Sequence, residues 1–175
     1  MLWFTKAFAR DKSTNATTMI EYEHHEIHSG SHYFITDFAS FSNAEVMDFT
    51  FVTPDSGKQA HFVFSIFWTG AVSVEALVGA VVDTTWTVIS PVNNNGNSSN
   101  TSIMTVRHWD TFTSEWVSKL RSYAGANKVA GTIERTREIL LASNQTYILR
   151  VTNELTTANI ITWNANRYEH TEKNV

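Results

Sequence analysis

The clearest pattern in this chain is a run in which every second residue is apolar. The run reads Ala60-His61-Phe62-Val63-Phe64-Ser65-Ile66-Phe67-Trp68. A period of two is typical of a β-strand, because successive side chains of a strand point to opposite faces of the sheet. We therefore predict a strand over residues 59–69 whose even-numbered side chains face the core.

Other short segments of the chain have strand-forming composition and are separated by turn residues. These segments are residues 19–28, 32–41, 45–53, 72–82, 85–90, 102–109, 138–142, 146–153 and 159–169. Pro54-Asp55-Ser56-Gly57 is turn chemistry, so 45–53 and 59–69 are predicted to form a hairpin. A helix over 113–121 is also left open, because Glu115, Val117, Lys119 and Leu120 fit helical spacing.

Composition supports the same fold class. The chain has 175 residues, of which 42% are hydrophobic and only 17% are charged. It contains 23 Thr, 16 Ser and 14 Asn, which favour strands and turns. About ten short strands with frequent turns predict an all-β protein, a jelly roll or β-sandwich. Residues 93–100, rich in Asn, are predicted to form a tight exposed loop.

The N-terminal segment differs in character from the rest of the chain. Residues 1–18 carry an apolar group, Trp3, Phe4 and Phe8, followed by a polar stretch. We interpret 1–18 as an N-terminal arm and linker, and 19–175 as a single sandwich domain. The apolar arm is predicted either to pack under its own sandwich or to contact a neighbouring subunit.

Composition also excludes several classes of function. The chain has no cysteine, so disulfides and thiolate metal sites are excluded. A net charge of −4 argues against a nucleic-acid partner, which needs a basic face. No apolar run approaches the ~18 residues of a membrane span, so no membrane partner is expected.

Four of the seven histidines lie within residues 24–32, beside several glutamates. If 19–28 is a strand, His24, Glu26 and His28 share one face and could ligate a metal. A cupin-like enzyme would also need a histidine from a distant strand, and the cupin spacing is missing. We therefore expect no metal and no cofactor. The preferred interpretation is a polar strand at a subunit contact, with residues 23–32 beside His170.

No motif in the sequence indicates an enzyme. Neither a Gly-x-Ser-x-Gly elbow nor a phosphate-binding glycine loop occurs. Six Trp and five Tyr leave a sugar-binding platform open as an alternative, although Trp68 and Trp163 lie in strand patterns where core packing is the default.

Several stretches between residues 20 and 172 resemble a known family. They are Glu23-His24-His25-Glu26-Ile27-His28-Ser29-Gly30-Ser31-His32-Tyr33-Phe34, Asp48-Phe49-Thr50-Phe51-Val52-Thr53-Pro54-Asp55, Ala60-His61-Phe62-Val63-Phe64, Asn93-Asn94-Asn95-Gly96-Asn97-Ser98-Ser99 and Trp163-Asn164-Ala165-Asn166-Arg167-Tyr168-Glu169-His170-Thr171. The chain resembles small β-rich virion proteins of tailed bacteriophages, most closely the head decoration (cement) proteins. Residues 1–18 match nothing in that family.

The resemblance implies a function and a setting. Such proteins are commonly β-rich homotrimers on the capsid exterior, where they bind the major capsid protein and reinforce the head shell against DNA pressure. They are made in the bacterial host cytoplasm. We therefore expect a non-enzymatic structural protein. From the apolar arm and the polar segment described above, its subunit or capsid contact residues are predicted to be Trp3, Phe4, Phe8, His24, Glu26, His28, His32 and His170. Two alternatives stay open, a sugar- or receptor-binding module of a tail or fibre and, less favoured, a metal-dependent cupin-like enzyme.

Overall fold

The computed structural model describes residues 22–85, 87–113, 117–124 and 131–171. Within these ranges the chain forms one helix, α1 (Tyr22–Ser29), and thirteen strands. The strands are β1 (His32–Phe41), β2 (Val46–Thr53), β3 (Lys58–Trp68), β4 (Val72–Val78), β5 (Val82–Thr84), β6 (Thr87–Val88), β7 (Val92–Asn93), β8 (Thr105–His108), β9 (Thr111–Phe112), β10 (Val117–Ala124), β11 (Gly131–Leu141), β12 (Gln145–Asn153) and β13 (Asn159–Thr171).

The strands form two main antiparallel sheets. One has five strands in the order β11-β3-β13-β1-β7, the other has six in the order β10-β4-β12-β2-β8-β6, and β5 pairs with β9 separately. Their inner faces pack together, with the rings of Phe49 and Trp163 4.1 Å apart between centroids. The prediction of an all-β sandwich is confirmed, and its jelly-roll connection stays a prediction.

The predicted register of β3 is also confirmed. The even-numbered residues Ala60, Phe62, Phe64, Ile66 and Trp68 are all buried, at 5% exposure or less. Their odd-numbered neighbours lie on the outer face of the five-stranded sheet. A slip of one residue would have reversed both faces, so the apolar alternation alone was enough to set the orientation of this strand.

The predicted hairpin is wrong. β2 pairs with β12 and β8, whereas β3 pairs with β11 and β13 in the other sheet. The turn at residues 54–57 therefore carries the chain from one sheet to the other. Turn residues specify a local reversal, but they do not specify which strands pair afterwards.

Two further local predictions are wrong. Residues 22–29 form helix α1 rather than a strand, because this stretch lacks the apolar alternation that would bury one strand face. Residues 117–121 of the helix considered at 113–121 belong instead to strand β10, which pairs with β4 at the edge of the six-stranded sheet, and residues 114–116 lie outside the described residues. There, sheet pairing has overridden a weak helix propensity.

Three of the predicted contact residues, Trp3, Phe4 and Phe8, lie outside the described residues, as does the rest of the arm. In the described ranges, α1 is too short to cross a bilayer, and no other helix is present to do so.

Candidate functional site

A cleft of 430 Å³ opens on the outer face of the five-stranded sheet. Its base is a row of side chains on three neighbouring strands, because His32 on β1 pairs with Tyr168 on β13, and Tyr168 pairs with His61 on β3. Helix α1 forms one wall through Glu23. The lining residues are Glu23, His32, His61, Phe62, Val63, Glu138, Asn166, Arg167 and Tyr168.

Helix α1 ends where it does because Gly30 adopts a left-handed conformation, with φ of +71°. The Gly30 amide donates to the carbonyl of Ile27, and the Ser31 amide donates to that of Glu26, both at 3.0 Å. This pair of bonds is a Schellman motif, for which glycine is the preferred residue. A side chain at residue 30 would also collide with Ser98.

The Asn-rich loop holds the end of this helix in place. The Asn93 and Asn100 side-chain amides donate to the Gly30 carbonyl at 3.0 and 3.2 Å, and the Asn95 amide donates to the His28 carbonyl at 3.2 Å. Helix C-terminal carbonyls otherwise lack partners. The loop predicted as an exposed connection is therefore a clamp that fixes the cleft wall.

His32 occupies the α1 side of the cleft and is almost fully buried. Its Nε2 lies 3.4 Å from Glu23 Oε1, and its Nδ1 contacts the side-chain amide of Asn94. Burial lowers the pKa of His32, and this effect outweighs the opposite influence of Glu23 and Glu26. The ring is thus held preferentially neutral.

The other side of the cleft is a chain of hydrogen-bonded groups on three strands. Glu138 Oε2 lies 2.7 Å from His61 Nδ1, and His61 Nε2 lies 2.9 Å from His170 Nε2. His170 Nδ1 in turn lies 2.8 Å from the Thr171 carbonyl oxygen. The Tyr168 ring stacks on His61 at 4.3 Å between centroids.

A buried ion pair supports the sheet from its inner face. Arg167 Nε donates to Glu169 Oε1 at 3.2 Å, and the Ile103 amide donates to Glu169 Oε2 at 2.8 Å. Ser102 joins both charged groups. Burial lowers the pKa of Arg167, while Glu169 favours its charged form. Removing either partner would leave an uncompensated buried charge, so this network constrains β13 beneath the cleft.

The structure separates the predicted set His24, Glu26 and His28. His24 and His28 are exposed on one side of α1, with their Nε2 atoms 3.0 Å apart. Glu26 is buried on the other side, where it contacts Ser29 and Ser31. The prediction that the three share a strand face is wrong, because a helix rotates alternate residues to opposite sides.

The two other predicted contact residues within the described ranges are His32 and His170, which lie on different strands. His32 lies in the cleft as part of β1, and His170 contacts His61 on β3. Sequence reasoning did not single out Glu138, Tyr168 or the Asn clamp. Strand register brings these residues together, and register between distant segments leaves no local signal.

The described ranges contain no group of three or more His, Asp or Glu side chains placed to hold a metal ion. No protein-family model matches the chain, and no curated protein matches it.

Proposed function

We propose that this protein is a non-enzymatic structural subunit that decorates the exterior of a tailed-bacteriophage head shell. In this proposal it acts as a homotrimer that binds the major capsid protein. The sequence resemblance given above supports the virion setting. The observation that supports an assembly role is an exposed apolar patch on the five-stranded sheet.

The patch consists of Phe38, Ile160 and Phe67. Their exposed fractions are 74%, 53% and 44%. Phe38 on β1 and Phe67 on β3 both pair with Thr162 on β13, and Ile160 lies two residues away on the same face of β13. Three large apolar side chains grouped on one open sheet face are typical of a protein contact surface.

The outer face of the six-stranded sheet has a different character. Its central row alternates in charge across four strands, in the order Asp48, Arg150, Glu75, Arg121. Arg150 makes a bidentate pair with Asp48 at 2.7 and 2.8 Å, and Arg121 pairs with Glu75 at 2.5 Å. Because these charges already pair with one another, this face does not need a partner protein to neutralise them. The outer face of the five-stranded sheet, which carries the apolar patch, is therefore the better candidate for assembly.

We assign the patch one occupant, the apolar arm of a neighbouring copy. Residues 19–21 connect the arm to α1, whose Glu23 lines the cleft on the same side of the sheet as the patch. Phe38 lies six residues along β1 from His32, or about 20 Å, and residues 1–21 reach roughly 70 Å when extended. Burying Trp3, Phe4 and Phe8 would contribute about 1.5–3 kcal/mol each before ordering costs. Three such contacts in a trimer would reinforce one another.

The proposal is tested with one truncation and two matched variants. Deleting residues 1–12, or substituting Phe38→Ser with Phe67→Ser, should convert trimers to monomers in sedimentation-velocity experiments and weaken binding to undecorated head shells. Tyr123→Ser is the control, because Tyr123 is 65% exposed but lies on the other sheet. Its trimerisation and binding should match those of the unmodified chain.

Each outcome bears on a separate part of the proposal. Trimers that survive both the truncation and the patch variant would overturn the assigned contact. A monomeric unmodified chain whose patch is protected by its own arm would overturn the trimer. If the unmodified protein never binds head shells, the decoration role fails, and the tail or fibre alternative replaces it.

A further inference from the structure

Two histidines from neighbouring strands stack on each other beside the cleft. His61 on β3 and His170 on β13 are 109 residues apart in sequence, yet their Nε2 atoms lie 2.9 Å apart. The ring centroids are 4.8 Å apart and the planes differ by 30°.

The outer nitrogens of both rings face groups that only accept hydrogen bonds. His61 Nδ1 faces the Glu138 carboxylate at 2.7 Å, and His170 Nδ1 faces the Thr171 carbonyl at 2.8 Å. Each Nδ1 must therefore carry the proton and donate it. The two Nε2 atoms then share one proton in their hydrogen bond, and when both rings are neutral and protonated at Nδ1 a metal ion can take the place of that proton.

The surroundings of the pair match those of metal-bound histidines. Such histidines almost always donate their second ring N–H to a carboxylate or a backbone carbonyl, which fixes the tautomer and the orientation of the ring. Here one ring has each type of acceptor. A metal ion would therefore bind through Nε2 of each ring.

The distance between the nitrogens indicates the class of ion. Two imidazole nitrogens about 2.05 Å from one ion are about 2.9 Å apart at a right angle and about 3.3 Å apart at the tetrahedral angle. The observed 2.9 Å therefore matches neighbouring positions of a square-planar or octahedral ion. Among divalent first-row ions, Cu²⁺ favours such nitrogen sites most strongly.

We propose that His61 and His170 chelate a divalent late first-row transition ion through their Nε2 atoms, with Cu²⁺ bound most tightly. Glu138 and the Thr171 carbonyl orient the two ligands, and water occupies the other positions. The expectation of no metal rested on the missing cupin spacing around His24 and His28, whereas the site proposed here uses two other histidines, which the pairing of β3 with β13 brings together. This site does not depend on the proposed structural function.

Helix α1 provides a matched internal control. His24 and His28 also bring two Nε2 atoms to 3.0 Å, but both rings are exposed, and no acceptor among the described residues faces either Nδ1. A pair without orienting partners should bind the ion more weakly. Comparing the Cu²⁺ affinities of the two pairs therefore distinguishes the effect of the Nε2–Nε2 distance from the effect of the hydrogen bonds that orient the rings.

The test is Cu²⁺ titration of the tag-free full chain by calorimetry, with electron paramagnetic resonance of the bound ion. We expect one tighter equivalent showing coupling to two imidazole nitrogens. His24→Ala with His28→Ala should leave it unchanged. His170→Ala should weaken it at least about 10-fold and remove one nitrogen from the spectrum, and Glu138→Gln should weaken it about 10–100-fold with unchanged stoichiometry.

The proposal is overturned if the tighter equivalent persists unchanged in His170→Ala, or if it disappears in the α1 double variant. It is also overturned if the unmodified chain binds no more tightly than His170→Ala. Circular dichroism of each variant confirms the fold. Glu138→Gln keeps both ligands, so it replaces His170→Ala if that variant fails to fold. An unchanged Cu²⁺ affinity in Glu138→Gln would then overturn the proposal.

Discussion

At the scale of single residues, the cleft depends on titratable side chains that are held away from water. His32 shows this most clearly, since it is buried between α1 and the Asn-rich loop and still lies beside Glu23. Its pKa is lowered mainly by burial. Protonation of His32 therefore favours the unfolded chain, which solvates the charge better.

This lowered pKa predicts a pH dependence of stability. Near pH 6.5 and just below, the unfolded chain binds more protons at His32 than the folded chain does, so the free energy of unfolding falls as the pH falls. His32→Asn keeps an amide near Asn94 and should flatten this slope. The measurement is urea denaturation between pH 5 and 8 with EDTA present. The exposed His25→Asn is the control, and an equal slope in His32→Asn and the unmodified chain would contradict the assignment.

A second prediction at this scale concerns the ion pair on the six-stranded sheet. The hydrogen bond with Asp48 raises the pKa of Arg150, and Asp48 is largely buried. Arg150→Met should cost roughly 2–4 kcal/mol of unfolding free energy, because it leaves the Asp48 carboxylate without its partner.

Arg121→Met is the matched control for that change. The Arg121 side chain is 76% exposed although it also pairs with a glutamate, so its loss should cost at most about 1 kcal/mol. Chemical denaturation of both variants checks the prediction. Equal costs would show that burial of Asp48 does not set the strength of the pair.

At the scale of elements, α1 is held by its C-terminal end. The helix has eight residues and little apolar surface, and an isolated helix of that length is not stable in water. Its position depends on the left-handed turn at Gly30 and on the Asn clamp. The cleft wall is therefore maintained by the loop at residues 93–100 rather than by the helix itself.

Gly30→Ala tests this dependence. Alanine is strained at positive φ, and its methyl group would meet Ser98, so we expect a loss of at least about 1 kcal/mol and faster hydrogen exchange in α1. Gly57→Ala is the control, because Gly57 has open space around it and no positive φ. If both variants behave alike, the turn at Gly30 does not anchor the helix.

At the scale of the whole molecule, two aromatic groups have opposite roles. Trp163 is fully buried between the sheets, where it packs against Phe49 and Phe51. Phe38 belongs to the same five-stranded sheet but lies on its open face. The first is expected to stabilise the fold, and the second to serve assembly.

Trp163→Ala should therefore cost about 3–5 kcal/mol, the range for removing a large aromatic side chain from a core. Phe38→Ala should change the unfolding free energy of the monomer by no more than about 0.5 kcal/mol. Calorimetry or urea denaturation at low protein concentration provides both values. A large cost for Phe38→Ala would show that the patch is part of the fold rather than a free surface.

Local pattern was sufficient for the features that depend on near neighbours. The alternation over residues 60–68 determined which side chains of β3 are buried, because sheet periodicity is a property of the strand itself. The abundance of Thr, Ser and Asn, with few charges, likewise indicated an all-β chain. The Pro-Asp-Ser-Gly turn was located correctly, but its partner strands were not.

Everything that makes the cleft depends on pairing between distant segments. His61 meets Glu138 on one side and His170 on the other because β3 lies between β11 and β13. The Asn-rich loop clamps α1 because the chain returns to β1 at β7. Such contacts arise from the packing of whole sheets, which is decided by the total apolar area buried, and no local run of residues encodes that choice.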